Sequence, residues 1–263
     1  MKKTYKILIT IVVTLVLCAS LVWWQWGNIR ALYYWAKYSG DDIDTLMGES
    51  FSEVENYLND NPQYNVRPSK PVEEELHKEG VINDEELTSL ITEKTTVKEM
   101  FGTELELGDD QKITIVESGE KIDAAEANKL KEETASSSAQ TETPKPNNDA
   151  KVSECIAQVY VLKAKFVGEL DVIYDQAYSE YEALWRDMTE EQRDAKKKSL
   201  LAAVFPKASS LEKQCDNEIN QILERLTNLL KESGDDTQLV DRIRESYYNE
   251  KSLKKAHYLS LLT

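Results

Sequence analysis

The stretch VSECIAQVYVLKAKFVGELDVIYDQAYSEYEAL (152–184) decides the fold class. Val152, Ile156, Val159, Phe166, Leu170, Ile173, Ala177, Tyr181 and Leu184 recur at helical spacing, with only Lys163 stepping out of the row. That pattern lays apolar side chains along one face of a long helix. Nothing breaks it before Asp187. Thr189 and Gln192 then make a capping box for a second helix through Leu200, Leu201 and Val204. Pro206 is expected to interrupt that helix, since proline lacks the N–H that the ladder needs. Ser209 or Ser210 restarts it, with Leu211, Cys215, Ile219, Ile222, Leu226 and Leu229 on one face. Gly234 stops it, and Asp235, Asp236 or Thr237 opens a last helix carrying Leu239, Ile243, Tyr247, Leu253 and Leu259. Short connections between long helices make antiparallel neighbours. Residues 152–263 therefore read as an antiparallel helical hairpin or three-helix bundle within a mainly α chain.

Upstream, TASSSAQTETPKPNNDAK (134–151) has no large apolar residue and two prolines. It reads as a flexible linker, because it cannot bury enough surface to order itself. Residues 27–133 form a small acidic α+β region. Charge sharpens the division: residues 27–151 hold 28 acidic and 13 basic side chains, residues 152–263 hold 20 and 16. A helix is expected through Tyr38 and closed by Gly40, then another capped by Asp41 or Asp42 with Ile43, Leu46, Met47, Val54 and Leu58 on one face. Asn61-Pro62 ends it. VEEELHKEGVINDEELTSLITEK (72–94) predicts two short helices broken by Gly80, with Asp84 capping the second. This phrase is similar to a short bihelical motif found at the ends of many bacterial proteins, which implies a helical pair and no particular activity. Leu105 and Leu107, the turn-like Gly108-Asp109-Asp110, and Ile113 and Ile115 predict a β-hairpin.

Further upstream, ILITIVVTLVLCASLVWWQW (7–26) is uncharged, and 16 of its 20 residues are apolar. A bilayer core about 30 Å thick needs ~20 helical residues, so this is a transmembrane helix candidate and a contact with the lipid bilayer. The tryptophans 23, 24 and 26, with Tyr33, Tyr34 and Trp35, suggest an interfacial aromatic belt. Lys2, Lys3 and Lys6 make 1–6 a cytoplasmic tail, which places the rest outside a plasma membrane of bacterial type. A cleaved signal would need a break after Cys18-Ala19-Ser20, yet apolar residues continue beyond it. Lipidation of Cys18 is disfavoured by the bulk of Leu17.

Composition narrows the chemistry. The chain has 263 residues, a net charge of −16, two histidines, three cysteines and nine glycines. Such acidity repels a polyphosphate, so no nucleic acid is expected as partner. His77 and His257 have no carboxylate or cysteine at ligand spacing and are expected to face solvent. No metal cage, cofactor cradle or nucleophile motif is present, and Asp41, Asp42, Asp44, Asp109 and Asp110 lack the spacing of a calcium loop. No cofactor, metal or catalytic residue is therefore assigned. The tyrosines 160, 174, 178, 181, 247, 248 and 258, with Trp185, offer either a stacking face for sugars or peptides, or bundle packing.

Cys155 and Cys215 form a candidate disulfide in an exported domain. Helix from Cys155 to the turn near 188 runs ~50 Å, and back to Cys215 ~40 Å. An extended break at 205–208 would add ~7 Å and nearly close the difference. A bridge would contribute ~4 kcal/mol through the unfolded state. The alternative is two small buried positions. Two functions follow: a non-catalytic envelope protein whose distal helices bind a protein partner or self-associate, or a cell-wall enzyme or accessory. The first predicts leftover apolar stripes, and the second a cleft collecting carboxylates and tyrosines.

Overall fold

The computed structural model describes residues 26–134, 148–185 and 188–262. In chain order the helices are α1 (Trp26–Lys37), α2 (Gly40–Gly48), α3 (Ser52–Asp60), α4 (Pro71–Lys78), α5 (Asp84–Ile91) and α6 (Val97–Phe101). Strands β1 (Leu105–Leu107), β2 (Ile113–Ile115) and β3 (Glu120–Ile122) follow. Helices α7 (Ala124–Thr134), α8 (Asn148–Trp185), α9 (Glu190–Ser233) and α10 (Gln238–Leu262) complete the chain, with a 3-10 turn at Pro62–Tyr64. It is mainly helical with one small antiparallel sheet. The span expected over 7–26 lies outside the described residues apart from Trp26. Among the described residues no helix is long and apolar enough to cross a membrane. Of the expected linker 134–151, the described residues are helical: Thr134 closes α7 and residues 148–151 open α8.

The described residues divide into two compact units, the first drawn from 26–54 and 241–262 and the second from 55–240. The first is built on Ile43, Leu253 and Ala256, with Tyr34, Tyr38, Leu46 and Met47 packed against them. Gly40 does not terminate a helix as expected; it is the first residue of α2, and Ser39 is its cap. The Ser39 hydroxyl accepts from the Asp42 N–H at 3.3 Å, and the Asp42 carboxylate accepts from Ser39 N at 3.2 Å. This reciprocal box outweighs the glycine signal because it satisfies helix-end donors that a glycine leaves bare. Hydrogen bonds from Ser39 hold the Asp42 carboxyl below its ordinary range.

In the second unit, Asn83 caps α5, not Asp84. Its side chain accepts from the N–H groups of Glu85 and Glu86 at 3.0 Å each. Gly80, at φ +70°, supplies the left-handed residue that turns the chain between α4 and α5. Pro71 opens α4, where Glu73, 1% exposed, accepts from Lys70 N at 2.9 Å and takes a bidentate grip from Arg67 at 2.9 and 2.6 Å. The predicted hairpin forms, pairing Leu105 with Ile115 and Leu107 with Ile113. A third strand extends it, pairing Ile113 with Ile122. Leu105, Ile113 and Ile122 are buried. Lys131 of α7 donates to the Val81 carbonyl at 2.9 Å and to Glu86 at 2.5 Å, fastening α7 to the turn before α5.

Helices α8 and α9 form the antiparallel hairpin, the first of the two architectures expected for the distal region. From Asp241 onward α10 clusters with the first unit. The Thr189–Gln192 box and the Gly234 stop are both present, Gly234 at φ +75°. Pro206, by contrast, does not interrupt α9, which runs unbroken from Glu190 to Ser233. Pro206 and Ala202 are both exposed, so water can take the carbonyl that proline leaves unbonded.

Candidate interaction surface

Burial divides the hairpin into two halves. From Val152 to Phe166, α8 is buried on several sides at once, with Ile156, Ala157, Tyr160, Val161 and Leu162 all enclosed. The cause is the packing of α4, α5 and the 3-10 turn on one flank and α9 on the other. Ser153 fixes this docking by donating its hydroxyl to the Tyr64 carbonyl. On α9 the matching buried row is Leu211, Cys215, Ile219, Leu223, Leu226 and Leu230, so Leu223 takes the place expected of Ile222.

Beyond Phe166 and before Leu211 the same seam continues, and among the described residues of this unit its burial falls, Lys78 of α4 still reaching α8 at Gly168. Leu170, Ile173, Ala177 and Val204 are only half-buried, and Val172, Tyr178 and Phe205 are exposed, Phe205 by 59%. This half of the hairpin is an arm of two helices. Cross-helix pairs fix its register: Lys165–Glu218 at 3.9 Å below and Lys196–Glu180 at 3.5 Å above. Interpolating between them brings Phe205 level with residues near Tyr174. Tyr174 and Tyr178 stack at 5.9 Å between ring centroids.

Charge on the arm is split by helix. Between 167 and 185, α8 carries Glu169, Asp171, Asp175, Glu180 and Glu182 and no basic residue. Between 193 and 207, α9 carries Arg193, Lys196, Lys197, Lys198 and Lys207 against a single acid, Asp194. The arm thus offers an acidic edge, a basic edge and an incompletely covered apolar seam. Sequence periodicity locates the seam, but it cannot show that α4 and α5 cover only one half of it.

The described tyrosines are distributed over both units. Tyr160 is core, Tyr174 and Tyr178 lie on the arm, and the side chains of Tyr181 and Trp185 lie outside the described residues. In the first unit, Tyr247 and Tyr248 meet edge to face at 5.2 Å, with the Lys251 ammonium 4.7 Å above the Tyr248 ring. Both histidines depart from expectation. His77 Nε2 sits 2.7 Å from Asp84 and His257 Nδ1 2.8 Å from Asp44, with only 10% and 23% of each side chain exposed. The shift of the α5 cap to Asn83 frees Asp84 to meet His77. Neither pair was legible from spacing, since the turn at Gly80 and the tertiary fold bring the partners together.

Cys155 and Cys215 are both free thiols and both buried. Glu154 faces Arg225 and Lys165 faces Glu218, each at 3.9 Å. The two cysteines are therefore offset by about ten residues, or ~15 Å along the helices, against the ~4.4–6.8 Å between Cα atoms that a disulfide spans. The expected bridge relied on an extended break at Pro206, and α9 has none. Burial pushes the Cys215 thiol up to about 12, with Glu218 and Glu169 adding to the effect. Burial likewise raises Cys155.

Two depressions are found in this unit. A cleft of about 760 Å³ between α5, α8 and α9 is lined by Asp84, Glu85, Glu154 and Glu218 facing Lys94, Lys165 and Arg225, with no tyrosine. A groove of about 850 Å³ runs beside β1, lined by Val72, Leu90, Val97 and Leu105 among Arg67, Lys70 and Lys98. Among the described residues no three His, Cys, Asp or Glu side chains gather as a metal site. Comparison with protein-family models, curated proteins and solved structures finds no match to this chain.

Proposed function

We propose that this chain is a non-catalytic, single-pass protein of the plasma membrane that acts outside the cytoplasm as a binding or scaffolding module. Residues 1–6 stay cytoplasmic, 7–26 cross the bilayer, and the remainder faces outward. The α8–α9 arm is the surface that engages a protein partner or a second copy. One observation carries the reading: the stripe buried up to Phe166 continues as the half-buried Leu170, Ile173 and Ala177, flanked by Val172, Tyr178 and Phe205 open to water. Exposed apolar side chains beside a half-buried stripe commonly mark a contact surface. The acidic and basic edges would set orientation more than affinity.

A cell-wall enzyme remains the rival reading. It calls for a cleft that collects carboxylates with tyrosines, whereas the carboxylates beside α5 face basic partners and the tyrosines lie elsewhere. The test is capture of the full-length tagged protein from detergent-solubilised membranes, compared with a Val172→Glu/Phe205→Glu variant. A species retained by the wild type and lost from the variant is the expected outcome. Identical capture by both would remove the arm from the account.

A further inference from the structure

The inner face of α1 is fully employed. Arg30 donates to the Asn249 side-chain oxygen at 2.7 Å, and the Tyr34 hydroxyl donates to the same oxygen at 2.7 Å. Ala31 is buried, and Tyr34 and Tyr38 pack on the Ile43–Leu253–Ala256 cluster. The opposite face carries Ile29, Leu32, Tyr33 and Ala36, spaced i, i+3, i+4 and i+7, and all four are exposed. Leu32 and Tyr33 each stand 53% open, and Trp35 lies beside them, also exposed. Half of the large apolar side chains exposed among the described residues fall on this one short helix, so its outer face has the composition of a contact surface.

We infer that this stripe beds into the headgroup region of the phospholipid bilayer, holding α1 against the membrane surface. The inference rests on the anchor reading given above and extends it beyond residue 26. What selects lipid as the occupant is the chain that leads into the helix. Residues 7–25 are uncharged, and ~20 such residues span the bilayer core, so α1 begins where the core ends. A helix standing straight out from that point would carry its stripe ~15 Å into water. A helix turned along the surface keeps the stripe in the interface, where tyrosine and tryptophan are favoured. Lys37 fits the same placement: its ammonium bonds the Tyr33 hydroxyl at 2.8 Å and lies 5.1 Å above that ring, at the rim of the stripe. An amphipathic lysine there keeps its stem on apolar surface and its charge in water.

The test uses the full-length chain in phosphatidylcholine vesicles containing some phosphatidylglycerol. Cys18→Ser removes the sequence's remaining cysteine, and Cys155 and Cys215 are buried. Nitroxide labels are placed singly at Val16→Cys, Leu32→Cys and Glu49→Cys, and oxygen relaxation is compared with that by a water-soluble nickel chelate. Oxygen should dominate at 16 and 32 and nickel at 49. Oxygen dominance at 16 with nickel dominance at 32 would overturn the stripe and leave the anchor standing. Nickel dominance at 16 would overturn the anchor and the inference together. Spin–spin broadening at 32 that vanishes on mixing with unlabelled protein would put a second copy on the stripe, and that too overturns it.

Discussion

Replacing Ile156 and Ile173 by alanine, one at a time, separates the packed half of the hairpin from the arm. Both positions belong to the same sequence stripe, yet Ile156 is fully buried and Ile173 only half-buried. Ile156→Ala removes three carbons worth about 0.8 kcal/mol each from a fully enclosed site. A residual cavity adds to that loss, giving ~3–5 kcal/mol. At Ile173 about half of the transfer loss applies and water fills the gap, so the cost is ~1 kcal/mol. At roughly 2–4 °C per kcal/mol for a domain of this size, Tm should fall by ~6–20 °C for the first variant and ~2–4 °C for the second. Circular dichroism of the full-length protein in detergent micelles, with thermal unfolding followed at the helical minimum, measures both. Equal shifts, or a larger one at Ile173, would mean that the seam is packed to its tip and that no arm stands open.

Other outcomes follow from individual contacts. Arg67→Met leaves the buried Glu73 carboxylate without its bidentate partner and should cost ~3–5 kcal/mol in urea unfolding, with much of it recovered in Arg67→Met/Glu73→Gln. Mass analysis after alkylation in denaturant without reductant should count three modified cysteines; a Cys155–Cys215 pair that resists would contradict the register. The raised Cys215 pKa makes a pH prediction as well. Below ~9 the thiol is protonated in both folded and unfolded chains, so its contribution is intact. From ~9 to about 12 only the unfolded chain ionises, so stability declines by up to ~1.4 kcal/mol per pH unit. Cys215→Ala should flatten that decline in alkaline denaturation series.

Much of the helical design was legible because it is local. The Val152–Phe166 stripe, the Thr189–Gln192 box and Gly234 each act within a turn or two of themselves, and the structure follows them. The β1–β2 hairpin was legible for the same reason. Strand β3 was not, since Glu120-Lys121-Ile122 offers one apolar side chain and gains its place only by pairing with β2. Pro206 shows the opposite failure: a strong local signal that α9 tolerates because Pro206 and Ala202 are exposed and water can take the unbonded carbonyl. Ser39 and Asn83 displaced the expected caps by one to three residues, because the reciprocal bonds of a capping box decide between nearby polar residues. The arm itself lay beyond reach, since it is defined by where α4 and α5 stop covering α8, and no local pattern states that.

The claim that an open arm on a membrane-anchored chain is its binding surface has one direct test. A photoreactive benzophenone residue is introduced at Phe205 of the full-length protein in its native membrane, and separately at Glu224, which is exposed on the packed half of α9. Irradiation of intact membranes should give a discrete higher-mass adduct from position 205 and none from 224. No adduct at 205, or the same adduct from both positions, would contradict the account.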